Sequence, residues 1–317
     1  MLSVHGKRWQ HLHVLAGFAS LVGKRSGRSI EGEVNRSFVA PSSDGVDRAG
    51  ALEIIRDDIP RGRYKAAIFD FDGTISLIRA GWQDVMYPYF VEVLAETPGG
   101  ESIEEIEHIV MEFVDLLTGK QTIYQTIQLA EEVSKRGGEP LTPLEYKHEY
   151  LRRLWEQIEH RVHGLEDRSI ERELMLVPGS IELLQGLRDR GLTLYLASGT
   201  DEPYVINEAN ILGVTEFFDG GVYGALDSYE DFSKAMIIQK IIEDHELAGE
   251  ELLGFGDGYV EIENVKAVGG YAVGVASDEI KREGINEWKR NRLTEAGADI
   301  IIPDYRSLDE LMDYLFP

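Results

Sequence analysis

Three stretches of this chain place acids, hydroxyls and glycines directly after apolar runs. Asp70-Phe71-Asp72-Gly73-Thr74 follows Ala66-Ala67-Ile68-Phe69, Ser198-Gly199-Thr200 follows Leu192 to Ala197, and Gly256-Asp257-Gly258-Tyr259-Val260-Glu261 follows Leu252 to Phe255. Lys234 opens a helical stretch between the last two. If Asp70, Asp72, Asp257 and Glu261 share one crevice, they raise each other's pKa values unless a cation joins them. Oxygen donors without His or Cys suit Mg²⁺, and Mg²⁺ suits phosphate. The Ser198 hydroxyl and the Gly199 and Thr200 N–H groups, at an expected helix start, can receive phosphate oxygens. Lys234 adds the positive charge that a phosphoryl transition state needs, with Lys240 as its rival.

Other uses of the same residue types fail on spacing. A calcium loop built on Asp70 and Asp72 needs an acid or amide at position 68 and Glu at position 79, where the chain has Ile68 and Arg79. Gly254-x-Gly256-x-Gly258 meets Tyr259, so it is not a dinucleotide fingerprint. Gly119-Lys120-Gln121 lacks the upstream glycine and the Ser/Thr of a phosphate-binding P-loop.

The elements that must position these groups alternate in type. From residue 177 onward, apolar runs of strand length alternate with helical periods, which implies a parallel sheet covered on both faces. Ligands then bind at the carboxyl ends of the strands, where all three marked stretches fall. Residues 81–175 read differently: they are helical throughout. Ser102 with Glu105, and Thr142-Pro143 with Glu145, are helix-start signals. Thr118-Gly119-Lys120-Gln121 interrupts one helix, and Gly137-Gly138 stops another. The tyrosines and tryptophan of this region, Tyr124, Tyr150 and Trp155, read as helix packing. A short helix is expected over Asp47 to Ile59, ending at Pro60.

Taken together, the four marked groups and their order resemble the haloacid dehalogenase superfamily of phosphotransferases over residues 64 to about 280. The helical insertion and Val177-Pro178-Gly179 resemble its phosphoglycolate phosphatase and β-phosphoglucomutase branch. The resemblance implies a doubly wound α/β core over residues 63–79 and 176–317 and an inserted all-helical cap over 80–175; residues 1–62, which lie outside it, are expected to form a partly disordered N-terminal extension. It implies that Asp70 is the nucleophile forming an aspartyl-phosphate and that Asp72 protonates the leaving oxygen and then activates water. It implies that Ser198 and the Gly199 N–H hold the phosphoryl group and that Lys234 balances its charge and holds Asp70. Asp70, the Asp72 carbonyl and Asp257 are the implied Mg²⁺ ligands, with Glu261 binding directly or through water. Glu261 stands where the family more commonly has Asp, so Glu263 and Asn264 are rivals for that place. Lys120, Arg79 and Trp82 are candidate substrate contacts. The expected activity is a Mg²⁺-dependent phosphatase acting on a small phosphorylated metabolite, as a monomer or homodimer. A phosphosugar mutase is the alternative. Asp72 argues against a dehalogenase or a phosphonate-cleaving enzyme, and the full set of acids argues against a non-catalytic scaffold.

Composition is consistent with this reading. The chain has 317 residues and a net charge of −25, which disfavours nucleic-acid phosphate as a partner. It has no cysteine, which excludes disulfides, thiolate metal sites and a thiol nucleophile and fits a cytoplasmic protein. Residues 1–29 hold five Lys/Arg and no acid, leaving −30 on the rest. The apolar stretch Val14 to Gly23 is about half a membrane span and lacks a clean cleavage site, so no membrane association is expected.

Overall fold

The computed structural model describes residues 52–226, 228 and 233–317. Expectations for residues 1–51 lie outside them. Seven strands form one sheet in the order β1-β7-β6-β5-β2-β3-β4. The strands are β1 (Glu53–Ile54), β2 (Ala66–Phe69), β3 (Thr193–Asp201), β4 (Gly221–Ala225), β5 (Leu252–Gly256), β6 (Tyr271–Val275) and β7 (Ile300–Ile302). All neighbours run parallel except β1, which pairs antiparallel with β7.

β2 lies inside the sheet, between β5 and β3, and its side chains are apolar on both faces. Ala66 and Ile68 join one buried cluster, and Ala67 and Phe69 join the other. This is the strand period of two, with both faces covered. The first cluster is closed by α7 (Lys234–Asp244), α8 (Tyr259–Ala267) and α9 (Glu287–Glu295) through Ile238, Ile241, Ile262, Val265 and Leu293. The second is closed by α5 (Ser180–Asp189), α6 (Glu202–Ile211) and α10 (Leu308–Leu315) through Leu183, Leu187, Val205, Ala209, Leu311 and Leu315. The architecture is therefore a doubly wound α/β sheet with helices on both sides.

Between β2 and α5 the chain builds α1 (Gln83–Ala95), α2 (Ile103–Leu117), α3 (Thr122–Lys135) and α4 (Pro143–Glu166). The two capping boxes form: Ser102 and Glu105 satisfy each other's backbone N–H groups, as do Thr142 and Glu145. Phe90, Val110, Phe113, Leu129, Leu154 and Ile158 are buried where the helices face one another.

The helix expected over Asp47 to Ile59 does not form within its described part. Glu53–Ile54 is instead a sheet edge, and Ile55 and Arg56 donate their N–H groups to the Asp299 carbonyl. Long-range backbone pairing with β7 and the Arg290–Glu53 ion pair outweigh the local helical pattern. The sheet thus begins before residue 63. Before β4, Thr215–Phe217 forms a short 3₁₀ turn, and pairing begins at Gly221.

Candidate active site

The chain leaves β2 in a tight turn. Asp70 N–H still pairs with the Phe255 carbonyl (2.9 Å), while the N–H groups of Ile75 and Ser76 both reach back to the Phe71 carbonyl (2.8 Å each). Gly73 sits at φ 73°, and its N–H donates to the Ser76 carbonyl (2.9 Å). A Cβ at Gly73 would lie 2.2 Å from Asp257 Oδ2. Only glycine meets both demands here. The turn thereby brings the first pair of acids against the end of β5, a juxtaposition that strand alternation alone would not give.

Lys234 begins α7 and lies buried beneath this turn. Its ammonium is 2.8 Å from Asp70 Oδ1 and also pairs with Glu261. Burial and the neighbouring Asp257 raise the Asp70 pKa, and Lys234 opposes them. Lys240, the rival lysine, pairs with Asp244 on an exposed helix surface.

Asp72 points toward the end of β3. The Thr200 hydroxyl donates to its Oδ2 at 2.8 Å, and the Ser198 hydroxyl lies 3.4 Å from the same atom. Its other oxygen, Oδ1, is enclosed with no protein partner. That enclosure pushes the carboxyl up to about 7, against the opposing pull of Arg79 and the Thr200 hydroxyl. A carboxylic acid poised near neutrality can both give and take a proton.

Residues 198–200 differ from expectation in one respect. β3 continues to Asp201 through an irregular register between Ala197 and Asp201 and runs directly into α6 at Glu202. The Thr200 N–H is used by Ser198 Oγ (3.0 Å) rather than offered at a helix start.

The loop Thr118–Gln121 joins α2 to α3 and sits directly over these groups. A Cβ on Gly199 would lie 3.1 Å from the Lys120 carbonyl, and one on Gly258 would lie 3.2 Å from Gly119 Cα. Tyr259 Oη donates to the Leu116 carbonyl (3.1 Å), and Arg292 donates to the Asp115 carbonyl. The buried Lys147 of α4 pairs with Asp201 at 2.6 Å. Together these contacts hold the helical insertion on the sheet's carboxyl edge.

A cavity open to solvent lies between them. Asp70, Asp72, Ser198, Gly199, Lys234 and Asp257 line one side, and Lys120, Arg79 and Trp82 line the other. The site residues expected from the sequence thus converge, with one exception. Glu261 does not line this cavity; its carboxylate turns to Lys234. Arg79 lines the cavity but spends Nε and Nη2 on a buried bidentate pair with Glu208. Thr200 was expected only as a backbone donor. Gln125 and Glu279 line the cavity too, although no local pattern marks them, and so does Tyr150, which the helical spacing assigned to packing and which is also part of the buried core. Lys289 was missed as well. It approaches Asp257 Oδ2 at 2.7 Å from α9, far along the chain.

Among the described residues, no three His, Asp or Glu side chains form a ready-made metal cage. Mg²⁺ seldom needs one, because it keeps several waters and binds through one or two carboxylates plus phosphate oxygens. The all-oxygen donors that line the cavity, Asp70, Asp72 and Asp257, fit such an ion.

A family model described as haloacid dehalogenase-like hydrolase matches residues 64–269. The chain belongs to that family. Among solved structures, it is similar to a predicted phosphoglycolate phosphatase from Haemophilus somnus 129Pt, at 17% identity and a TM-score of 0.51, covering 79% of this chain and 98% of that one. It is also similar to a predicted phosphatase from Clostridium acetobutylicum, at 14% identity and a TM-score of 0.50, covering 79% and 99%. These likenesses concern the fold. No curated protein matches the sequence. Among the described residues, no helix is long and apolar enough to cross a membrane.

Proposed function

We propose that the protein is a Mg²⁺-dependent phosphomonoester hydrolase acting on a small phosphorylated metabolite. The observation that carries this reading is the pairing of Asp70, held by Lys234, with the proton-poised Asp72 beneath a helical lid. Asp70 attacks phosphorus, forming a carboxylate-O–P bond as the ester P–O bond breaks. Asp72 gives its proton to the departing oxygen, then takes one from the water that cleaves the aspartyl-phosphate. Phosphate leaves and Asp70 is regenerated. Ser198 and the Gly199 N–H receive the phosphoryl oxygens, and Lys234 offsets their charge.

Asp70, the Asp72 carbonyl and Asp257 would hold Mg²⁺, with Glu261 reaching it at most through water from its place on Lys234. Bound there, the ion would neutralise phosphoryl charge and orient the phosphate. Lys120 and Trp82 face the part of the substrate beyond the phosphate, which supports a metabolite small enough to be enclosed.

The test is phosphate release from a panel of sugar, polyol and nucleotide monophosphates with and without Mg²⁺, alongside Asp70→Asn. Loss of about three orders of magnitude is expected for the variant on any substrate the protein turns over. Equal rates for the two proteins on every substrate would refute the reading. Conversion of a hexose 1-phosphate to its 6-phosphate without net release would establish the mutase alternative.

A further inference from the structure

We infer that the Lys289 ammonium is a built-in cation that competes with the divalent metal for Asp257, and that Glu279 tunes this competition by holding the same ammonium. The inference rests on the Mg²⁺ reading above and deepens it.

Lys289 is buried, with only 7% of its side chain exposed. Its three N–H groups have three acceptors: Asp257 Oδ2 at 2.7 Å, Glu279 Oε1 at 2.6 Å and Ser277 Oγ at 3.2 Å. The ammonium is thus fully satisfied without solvent. It also lies against the catalytic turn. A Cβ on Gly73 would be 3.0 Å from Lys289 Nζ, and Ser277 Oγ donates to the Gly73 carbonyl at 2.6 Å. A positive charge is therefore fixed on the carboxylate that the cation needs, next to the backbone that carries Asp70 and Asp72. Two carboxylate oxygens and a hydroxyl oxygen surround the ammonium, an environment that favours its charged form.

Two consequences follow from elementary electrostatics. One oxygen of Asp257 is already engaged, and a second cation bound at this carboxylate feels repulsion that the low-dielectric surroundings screen poorly. Glu279 acts in the opposite sense. Its carboxylate borders the cavity and draws the ammonium toward itself, which lowers the hold of Lys289 on Asp257. The site's metal affinity is then a balance between an internal and an external cation.

The test measures binding rather than turnover. Mn²⁺ is titrated by electron paramagnetic resonance, with Mg²⁺ as competitor, on the full chain and on Lys289→Met, Glu279→Gln and the double variant. Near-ultraviolet circular dichroism checks that each folds. Lys289→Met is expected to tighten Mn²⁺ and Mg²⁺ binding about tenfold or more. Glu279→Gln is expected to weaken it severalfold, because Lys289 is left to Asp257 alone. In the Lys289→Met background, Glu279→Gln should change little, since Glu279 acts through the ammonium. A merely supporting role for the cluster would weaken binding in both single variants, and that result overturns the inference. Additive effects in the double variant also overturn it, because Glu279 would then act on the metal directly. Should Lys289→Met fail to fold, unchanged binding in Glu279→Gln overturns it on its own. If no protein in the set binds Mn²⁺ or Mg²⁺, the cation reading falls together with this inference; binding that ignores the substitutions overturns the inference alone.

Discussion

The Arg79–Glu208 pair decides whether Arg79 is a structural anchor of the cap linker or a free substrate contact. Arg79 Nε reaches both Glu208 oxygens at 3.1 and 3.2 Å, and Nη2 reaches Oε1 at 2.7 Å. The side chains are 8% and 3% exposed, so neither charge has water to fall back on. Arg79 lies in the linker to α1, and Glu208 lies on α6 of the sheet domain. Removing one partner of a buried pair leaves an uncompensated charge and costs about 3–5 kcal/mol. Native domains hold only about 5–15 kcal/mol in total. Arg79→Met and Glu208→Leu should therefore each lower the thermal midpoint by about 6–20 °C, at about 2–4 °C per kcal/mol for a unit of this size. The double variant exchanges two charges for apolar volume and should cost less than either single variant, so the interaction energy should be at least about 3 kcal/mol. Urea unfolding of the four proteins measures it. Single-variant losses under about 1 kcal/mol, or losses that simply add, would refute the anchor and return Arg79 to the role of substrate ligand.

Three further outcomes are expected. Thr200→Val removes the donor that lowers the Asp72 pKa, so that pKa rises above about 7 and the alkaline limb of the kcat–pH profile moves to higher pH; a limb that stays in place or moves down contradicts Asp72 as the proton donor. Gly73→Ala forces a Cβ to 2.2 Å from Asp257 Oδ2 at positive φ, so phosphate release should be nearly lost while urea unfolding shows a cost of only about 1–3 kcal/mol. Lys147→Met leaves Asp201 without its cap-borne partner, and KM should rise more than kcat falls as the lid loosens on the sheet edge; an unchanged KM argues against a closing role for the pair.

Much of the fold was legible because its signals are local. Apolar runs of strand length ending in acid and glycine located β2, β3 and β5, and the Ser102 and Thr142 boxes located the starts of α2 and α4. The edge strand β1 was not legible, because Glu53–Ile54 is a strand only through its pairing with β7. The same division holds within the site. Asp70, Asp72, Ser198, Lys234 and Asp257 could be named because each stands at a strand end or helix start, and a parallel sheet delivers those positions to one edge. Their partners could not be named. Glu261 leaves the cavity for Lys234, Glu208 takes Arg79, the Thr200 hydroxyl takes Asp72, and Lys289 takes Asp257. The sequence by itself determined which chemical groups reach the carboxyl edge, since strand and helix periods act over a few neighbouring residues. Tertiary structure alone decided which charge faces which, because those pairs join residues brought together only when helices pack on the sheet, and burial then makes every pairing energetically consequential.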